Sequence, residues 1–162
     1  MLKTNRLLID VPKEKYFKKI FEIHADPVAN QFNPNGPESS IEDFHNTYQQ
    51  WQEHHDRHRY GYYVLIDNTD NIPFGVCGLR RKELKNEIVL NIYYRISSQK
   101  TRKGFVKEAA EVIINHVNSI TQNKFRLVAQ TKYNNYPSIK TAESLGFVYD
   151  VSYDNYNVYL FR

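Results

Sequence analysis

The hydrophobic pattern of this chain changes period in its second half, and that change constrains the fold more than any other feature. From Ile88 to Ile96, apolar residues alternate with mostly more polar ones, the period-two pattern of a strand. After Gly104 the apolar residues recur every 3.6 residues, as in a helix, as far as Ile120. Segment 124–131 then has the composition of another strand. A strand, a crossover helix and a strand together predict a parallel pair.

Patterns on either side of this unit predict the other elements. In chain order we expect a strand at 6–11, a helix at 12–25, a helix capped by Ser39 or Ser40, strands at 60–67, 73–80 and 88–96, a helix from 105 to about 120, a strand at 124–131, a helix at 135–145 ended by Gly146, and strands at 147–152 and 156–161. Short connections predict an antiparallel meander for the strands between 60 and 96. The predicted fold is α+β, with a mixed, mostly antiparallel sheet and helices on both faces.

The length of 162 residues fits one domain covering 1–162. With 41% hydrophobic and 25% charged residues, the chain has the composition of a globular protein. It has no apolar run near the roughly 20 residues of a membrane span, and segment 1–10 has no signal-peptide character. We therefore expect a cytoplasmic protein without a membrane partner.

The cysteine and the histidines of the chain are candidates for a nucleophile, a metal site or a base. The single cysteine, Cys77, excludes an internal disulfide, and its apolar surroundings at 74–79 favour a packing role over a nucleophile. His54, His55 and His58 lie close together in sequence, but the HExxH pattern is missing and no cysteine supports them. We expect no metal site, and we rank a histidine that acts as a base only slightly above a metal-binding histidine. The other candidate histidines are His24 and His45.

The positive charge is concentrated at one predicted helix start. The net charge is +4, and the densest basic cluster comprises Lys100, Arg102, Lys103 and Lys107. A helix N-terminus binds phosphate through its unpaired N–H groups, and a glycine such as Gly104 permits close backbone approach. The cluster alone fits a phosphate cradle and an ordinary basic loop equally well. A nucleic-acid partner is not expected, because no basic stripe interleaved with aromatic residues is evident.

Two sequence motifs carry a family resemblance. Segment 99–104, Gln-Lys-Thr-Arg-Lys-Gly, resembles the acyl-CoA signature of the GNAT N-acetyltransferases, with Arg102 in place of the first glycine. Segment 104–109, Gly-Phe-Val-Lys-Glu-Ala, resembles the start of the same helix in the ribosomal-protein N-acetyltransferase branch. Asn-Tyr-Pro-Ser at 135–138, followed by Leu-Gly-Phe at 145–147, resembles a second motif of that branch at the same spacing. The resemblance covers nearly the whole chain.

The resemblance implies that acetyl-CoA lies in a cleft between two splayed parallel strands, at 87–96 and 124–131. It implies that the pyrophosphate meets backbone N–H groups at 102–107, and it involves no metal. The cofactor-binding residues that it implies are Ile92, Tyr93, Tyr94, Gln99, Arg102, Lys103, Gly104, Phe105, Val106, Lys107, Asn135, Ser138 and Lys140. Arg102 can reach a phosphate itself, and Lys140 fits both a ribose-phosphate contact and a solvated surface lysine.

This chain differs from other GNAT proteins at the positions of the catalytic acid and the catalytic base. Many GNAT proteins use a tyrosine acid where this chain has Ala142, and the ribosomal-protein branch implies Ser138 instead. Ser138 equally fits a helix cap. The glutamate base of that branch corresponds to Asn91, which cannot take a proton, and Glu87 is a weak substitute acting through water. The backbone N–H groups around Ile92 to Tyr94 are the expected donors to the thioester oxygen.

The resemblance implies an acetyl-CoA-dependent N-acetyltransferase that acts on the N-terminal α-amine of a protein or peptide. An α-amine has a pKa near 7.7–8.0 and needs little help from a base. A small amine is the first alternative acceptor, and a protein that binds an acyl-CoA without turnover is a second alternative. A nucleic-acid binder is the third. The sequence leaves open a monomer or a homodimer.

Overall fold

The computed structural model describes residues 1–155 and 157–162, which form an eight-stranded sheet with four α-helices. The elements are β1 (Leu2–Lys3), β2 (Leu7–Asp10), α1 (Glu14–Ala25), α2 (Ile41–His58), β3 (Tyr62–Asp67), β4 (Pro73–Leu84), β5 (Glu87–Ile96), α3 (Phe105–Thr121), β6 (Leu127–Lys132), α4 (Tyr136–Ser144), β7 (Val148–Tyr149) and β8 (Asn157–Phe161). The strand order is β1-β2-β3-β4-β5-β6-β8-β7, and within the described residues only β5 and β6 pair in parallel. The predicted α+β fold with a mixed sheet is confirmed.

The helices cover both faces of the sheet because the strands alternate their side chains. On one face, α3 and α4 pack on a core that includes Leu65, Cys77 and Leu79. On the other face, α1 and α2 contribute an aromatic cluster, with Phe44, Tyr48 and Trp51 all buried. Ser40 caps α2, since its side chain accepts a hydrogen bond from the backbone N–H of Asp43.

The differences from the predicted elements lie at strand ends. β4 continues to Leu84, beyond the predicted end at Arg80, and meets β5 through a two-residue turn. Lys85 and Asn86 in that turn have φ values of 47° and 63°, the left-handed geometry of a tight hairpin. The two-residue strand β1 was not predicted, and β7 covers only two of the residues predicted at 147–152. Tyr156, the first residue of the last predicted strand, lies outside the described residues.

Candidate active site

A gap between β5 and β6 forms the candidate site. The parallel pairing consists of Leu90 with Leu127 and Asn91 with Val128. β5 continues to Ile96 and β6 to Lys132, but the described residues beyond Val128 make no further pairs across the gap. A cavity of about 1020 Å³ opens there. The gap therefore leaves backbone groups of β5 free for a ligand, as the predicted splayed cleft requires.

The segment before α3 lines one end of this cavity. Gly104 is the N-cap residue of α3 with φ of 77°, and Arg102 also has a left-handed φ, of 62°. A non-glycine residue in that conformation costs roughly 1–2 kcal/mol. Arg102, Gly104 and Lys107 line the cavity, and Phe105 and Val106 do so between them. The loop thus keeps a left-handed turn at the position where the signature has its first glycine.

Ion pairs fix this loop to the rest of the sheet. Lys100 Nζ lies 2.8 Å from Asp67 Oδ2, and this hydrogen bond lowers the pKa of Asp67 to about 2. Arg6 Nη1 donates to the Lys103 carbonyl at 2.9 Å, and Arg6 Nε donates to Glu108 Oε1 at 2.9 Å. The charge of Lys100 is therefore neutralised within the protein. Arg102 and Lys107, both exposed, are the cations that the loop offers to a phosphate.

Two hydroxyl groups meet beside the gap, at the start of α4. The cap of α4 is Asn135, whose Oδ1 accepts a hydrogen bond from Ser138 N at 3.3 Å, so the side chain of Ser138 is not the cap. The Tyr94 hydroxyl donates to the Ser138 carbonyl at 2.9 Å, so at 2.8 Å it accepts a hydrogen bond from the Ser138 hydroxyl. Burial raises the pKa of Tyr94 to about 12, so its hydroxyl stays protonated at neutral pH. Both residues line the cavity.

The opposite face of β5 presents a third hydroxyl, that of Tyr93, and the amide of Asn91. His24 Nδ1 lies 2.8 Å from the Ile20 carbonyl and must donate to it, so His24 Nε2 accepts the hydrogen bond of the Tyr93 hydroxyl at 2.8 Å. Burial lowers the pKa of His24 to about 4, which keeps it neutral at pH 7. Asn91 Oδ1 is buried and has no hydrogen-bond partner among the described residues. Tyr93 and Asn91 both line the cavity.

The comparison with protein-family models identifies the family to which a chain with this site belongs. The acetyltransferase (GNAT) domain model matches residues 6–148. The chain belongs to the GNAT family. It is therefore an N-acetyltransferase whose acetyl donor is acetyl-CoA. No curated protein matches the chain in sequence.

Solved structures of other GNAT proteins share the fold. An acetyltransferase from Agrobacterium tumefaciens is 18% identical, with a TM-score of 0.84 over 99% of this chain and 92% of that one. A ribosomal-protein alanine acetyltransferase from Vibrio fischeri is 17% identical, with a TM-score of 0.76 over 99% and 94%. A spermidine N-acetyltransferase from Vibrio cholerae, solved with CoA and spermine, is 14% identical, with a TM-score of 0.76 over 98% and 94%.

This GNAT domain brings most of the predicted site residues to the cavity. Those that line it are Asn91, Ile92, Tyr93, Tyr94, Arg102, Gly104, Phe105, Val106, Lys107, Asn135 and Ser138. Gln99, Lys103 and Lys140 are exposed and do not line it. Glu87 also lies outside the lining, where it binds Arg126 at 2.8 and 3.0 Å, and that contact lowers its pKa. The Glu87 carboxylate is therefore paired with Arg126 and does not face the cavity.

The contacts of the candidate cysteine and histidines indicate structural roles. Cys77 is fully buried, and burial raises the pKa of its thiol to about 12, in agreement with a packing role. His54 and His55 donate to the carbonyls of Tyr60 and Tyr62 at 2.8 and 2.7 Å. In the described ranges, no three His, Cys, Asp or Glu side chains are grouped to hold a metal ion. None of the described helices is long and apolar enough to cross a membrane.

Sequence reasoning missed the contacts that connect distant segments. The Tyr94–Ser138 contact joins residues 44 apart in sequence, and the His24–Tyr93 contact joins residues 69 apart. No spacing rule along one element connects such pairs. The period-two alternation of β5 does carry part of the signal, because it puts Tyr93 and Tyr94 on opposite faces of the strand that borders the gap.

Proposed function

We propose that the protein acetylates the N-terminal α-amine of a protein or peptide. The observation that carries this proposal is the absence of any carboxylate from the cavity lining formed by the described residues. A lysine side chain, with a pKa near 10.4, needs a strong base at neutral pH, whereas an α-amine with a pKa of about 7.7–8.0 is already partly neutral. A site without a carboxylate base suits the α-amine.

The residues along the gap divide the chemistry between the two faces of β5. When bound, acetyl-CoA supplies an activated acetyl group. The free N–H groups of the Ile92–Tyr94 segment are suited to donate to the thioester oxygen as it gains negative charge. The Ser138 hydroxyl lies on the α4 side, where it can turn from Tyr94 to donate a hydrogen bond to the departing sulfur, and Tyr94 positions it.

The amine is proposed to approach from the α1–α2 face of the sheet. The Tyr93 hydroxyl gives its proton to His24 Nε2, so its oxygen offers only acceptor lone pairs to the cavity. Such an oxygen can accept an N–H bond from the amine and orient the nitrogen lone pair. The orphaned Oδ1 of Asn91 is a second acceptor at the same level of the strand. Solvent takes the proton released by the amine.

A polyamine acceptor is the main competing proposal, since a spermidine acetyltransferase shares the fold. A polyamine carries several positive charges and needs carboxylates to bind them. The described lining instead contains five cationic side chains.

We propose one GNAT domain spanning 1–162, acting in the cytoplasm as a monomer or homodimer, with no nucleic-acid partner.

The test is a thiol-release assay with acetyl-CoA and three acceptors at pH 7. The first is a peptide whose only amine is its N-terminus, the second is an N-blocked peptide with one lysine, and the third is spermine. We expect kcat/KM for the first to exceed that for the second by about 200- to 400-fold, following the difference in neutral fraction. Its pH profile should rise with an apparent pKa near 8. Preference for the lysine peptide or for spermine would overturn the proposal.

A further inference from the structure

The cavity has more positive charge than the cofactor loop accounts for. Five cations line it in the described part of the chain, namely Arg95, Lys100, Arg102, Lys107 and Lys132. Lys100 is paired with Asp67, and the exposed cations at the start of α3 serve the pyrophosphate end. The other two cations, Arg95 on β5 and Lys132 on β6, have neither a carboxylate partner among the described residues nor a role at the pyrophosphate end.

These two residues lie on the face of the sheet opposite α3. Asn91 and Val128 form the last pair before the gap. Arg95 is four residues beyond Asn91, and Lys132 is four beyond Val128, so both share a face with that pair and lie on opposite sides of the gap. Arg95 Nη1 donates to the Ala29 carbonyl at 2.9 Å, in the segment that joins α1 to α2. They therefore lie on the proposed acceptor side.

Neither cation is neutralised by the described protein groups. No carboxylate in the described ranges lies within 4.0 Å of Arg95 or Lys132. Arg95 Nε is buried and has no hydrogen-bond partner among the described residues. An unsatisfied buried donor is costly, and a guanidinium offers five donors that match a carboxylate.

Neighbouring charges leave the potential on this face positive. Lys82, on β4, donates to Gln130, which lines the cavity next to Lys132. Burial is the main reason that the pKa of Tyr93 is raised; Arg95 lowers this pKa, and Glu38 raises it by less than Arg95 lowers it. Glu38 does not line the cavity. An anion on the acceptor would bind these cations and complete the hydrogen bonds of Arg95.

We infer that the acceptor is a peptide with Asp or Glu at its second or third residue, and that Arg95 and Lys132 bind this carboxylate. The inference rests on the proposed α-amine function. From Asn91 to Arg95 the strand extends roughly 13 Å, and from Tyr93 roughly 7 Å, at 3.3 Å per residue. The second and third residues of an extended peptide, with their side chains, span this distance from the amine.

The experiment compares three peptides that differ only at residues two and three, which are Asp-Asp, Asn-Asn or Lys-Lys. Each peptide has a free N-terminal Ala and an amidated C-terminus. We expect kcat/KM with acetyl-CoA to be about 10- to 100-fold higher for the Asp-Asp peptide than for the Asn-Asn peptide. Arg95→Gln and Lys132→Gln should each reduce this ratio. Lys18→Gln removes an exposed charge outside the cavity and should leave the ratio unchanged.

Calorimetric binding of the same peptides, with CoA in place of acetyl-CoA, tests the carboxylate site without turnover. Tighter binding of the Asp-Asp peptide, lost in Arg95→Gln, supports the inference even if no peptide is acetylated. Equal turnover of all three peptides overturns the inference and leaves the α-amine function intact. Acetylation of free aspartate or glutamate but of no peptide supports the carboxylate site and rejects the peptide acceptor. Binding that ignores peptide charge in both assays rejects the inference.

Discussion

Arg102 combines a strained backbone with a side chain directed at the cavity, and substitutions can separate the two. Its φ of 62° favours glycine, and its guanidinium is one of the cavity-lining cations. We expect Arg102→Gly to be about 1 kcal/mol more stable than Arg102→Ala, because only glycine adopts this conformation without strain. Denaturant unfolding measures this difference.

The acetyl-CoA affinity of the same two variants measures how much the charge of Arg102 contributes to cofactor binding. If the guanidinium contacts a phosphate, both variants should bind about 3- to 10-fold more weakly than the native chain, with a smaller effect at high salt. Unchanged affinity in both would leave the loop backbone and Lys107 as the phosphate contacts. Arg102→Lys is the control that retains the charge.

Ser138→Ala tests the hydroxyl pair. A donor to the departing sulfur acts mainly in the transition state, so its loss should lower kcat by about 100-fold and leave acetyl-CoA affinity nearly unchanged. Tyr94→Phe should lower kcat by less, since the Tyr94 hydroxyl only positions Ser138. Steady-state kinetics and calorimetry measure both quantities.

The matched control for Ser138 is Asn135→Ala, which removes the actual cap of α4. It should cost about 1 kcal/mol of unfolding free energy, with a smaller effect on kcat than Ser138→Ala. Normal turnover in Ser138→Ala would rule out its catalytic role. The sequence motif led to Ser138, but only the fold reveals Asn135 as the cap and Tyr94 as the partner.

At the scale of elements, Lys100 ties the cofactor loop to the end of β3. The hydrogen bond from Lys100, supported by Thr69, lowers the pKa of Asp67 from 3.8 to about 2. A lowered carboxylate pKa contributes stability that is present in full above pH 4 or so and is lost as the pH falls towards 2. Lys100→Gln should therefore shift acid unfolding to higher pH.

Circular dichroism as a function of pH measures that shift. Lys103→Gln is the matched control, because Lys103 is an exposed neighbour whose side chain has no carboxylate partner in the described ranges. Its acid midpoint should match that of the native chain. Coincident midpoints for Lys100→Gln and Lys103→Gln would contradict the stabilising role of the Lys100–Asp67 pair.

Long periodic elements were predictable, and short or distant ones were not. The alternation of β5 and the stripe of α3 follow from side-chain burial on one face, so their boundaries came out within a residue or two. β1 and β7 have two residues each, too few to show a period, and they exist through pairing with β2 and β8. The insertion of β8 between β6 and β7 depends on contacts far apart in sequence.

At the scale of the whole molecule, we propose that the two helical layers separate donor binding from acceptor binding. α3 and α4 lie on the face that carries the cofactor loop and the hydroxyl pair, and α1 with α2 covers the face of Tyr93. The gap between β5 and β6 is the passage between the faces. The family motifs lie mostly on the α3–α4 face, so the sequence was more informative about the donor than about the acceptor.

Binding of acetyl-CoA across this gap should stabilise the whole fold. A ligand at 100 times its Kd adds about 2.7 kcal/mol to the unfolding free energy, which raises Tm by roughly 5–10 °C for a chain of this size. Because the net charge of +4 attracts any polyphosphate, ATP at equal concentration and ionic strength is the control. Differential scanning fluorimetry should show a larger shift for acetyl-CoA, reduced in Arg102→Ala. An equal shift with ATP would mean that the cavity binds phosphate without recognising the pantetheine arm along β5.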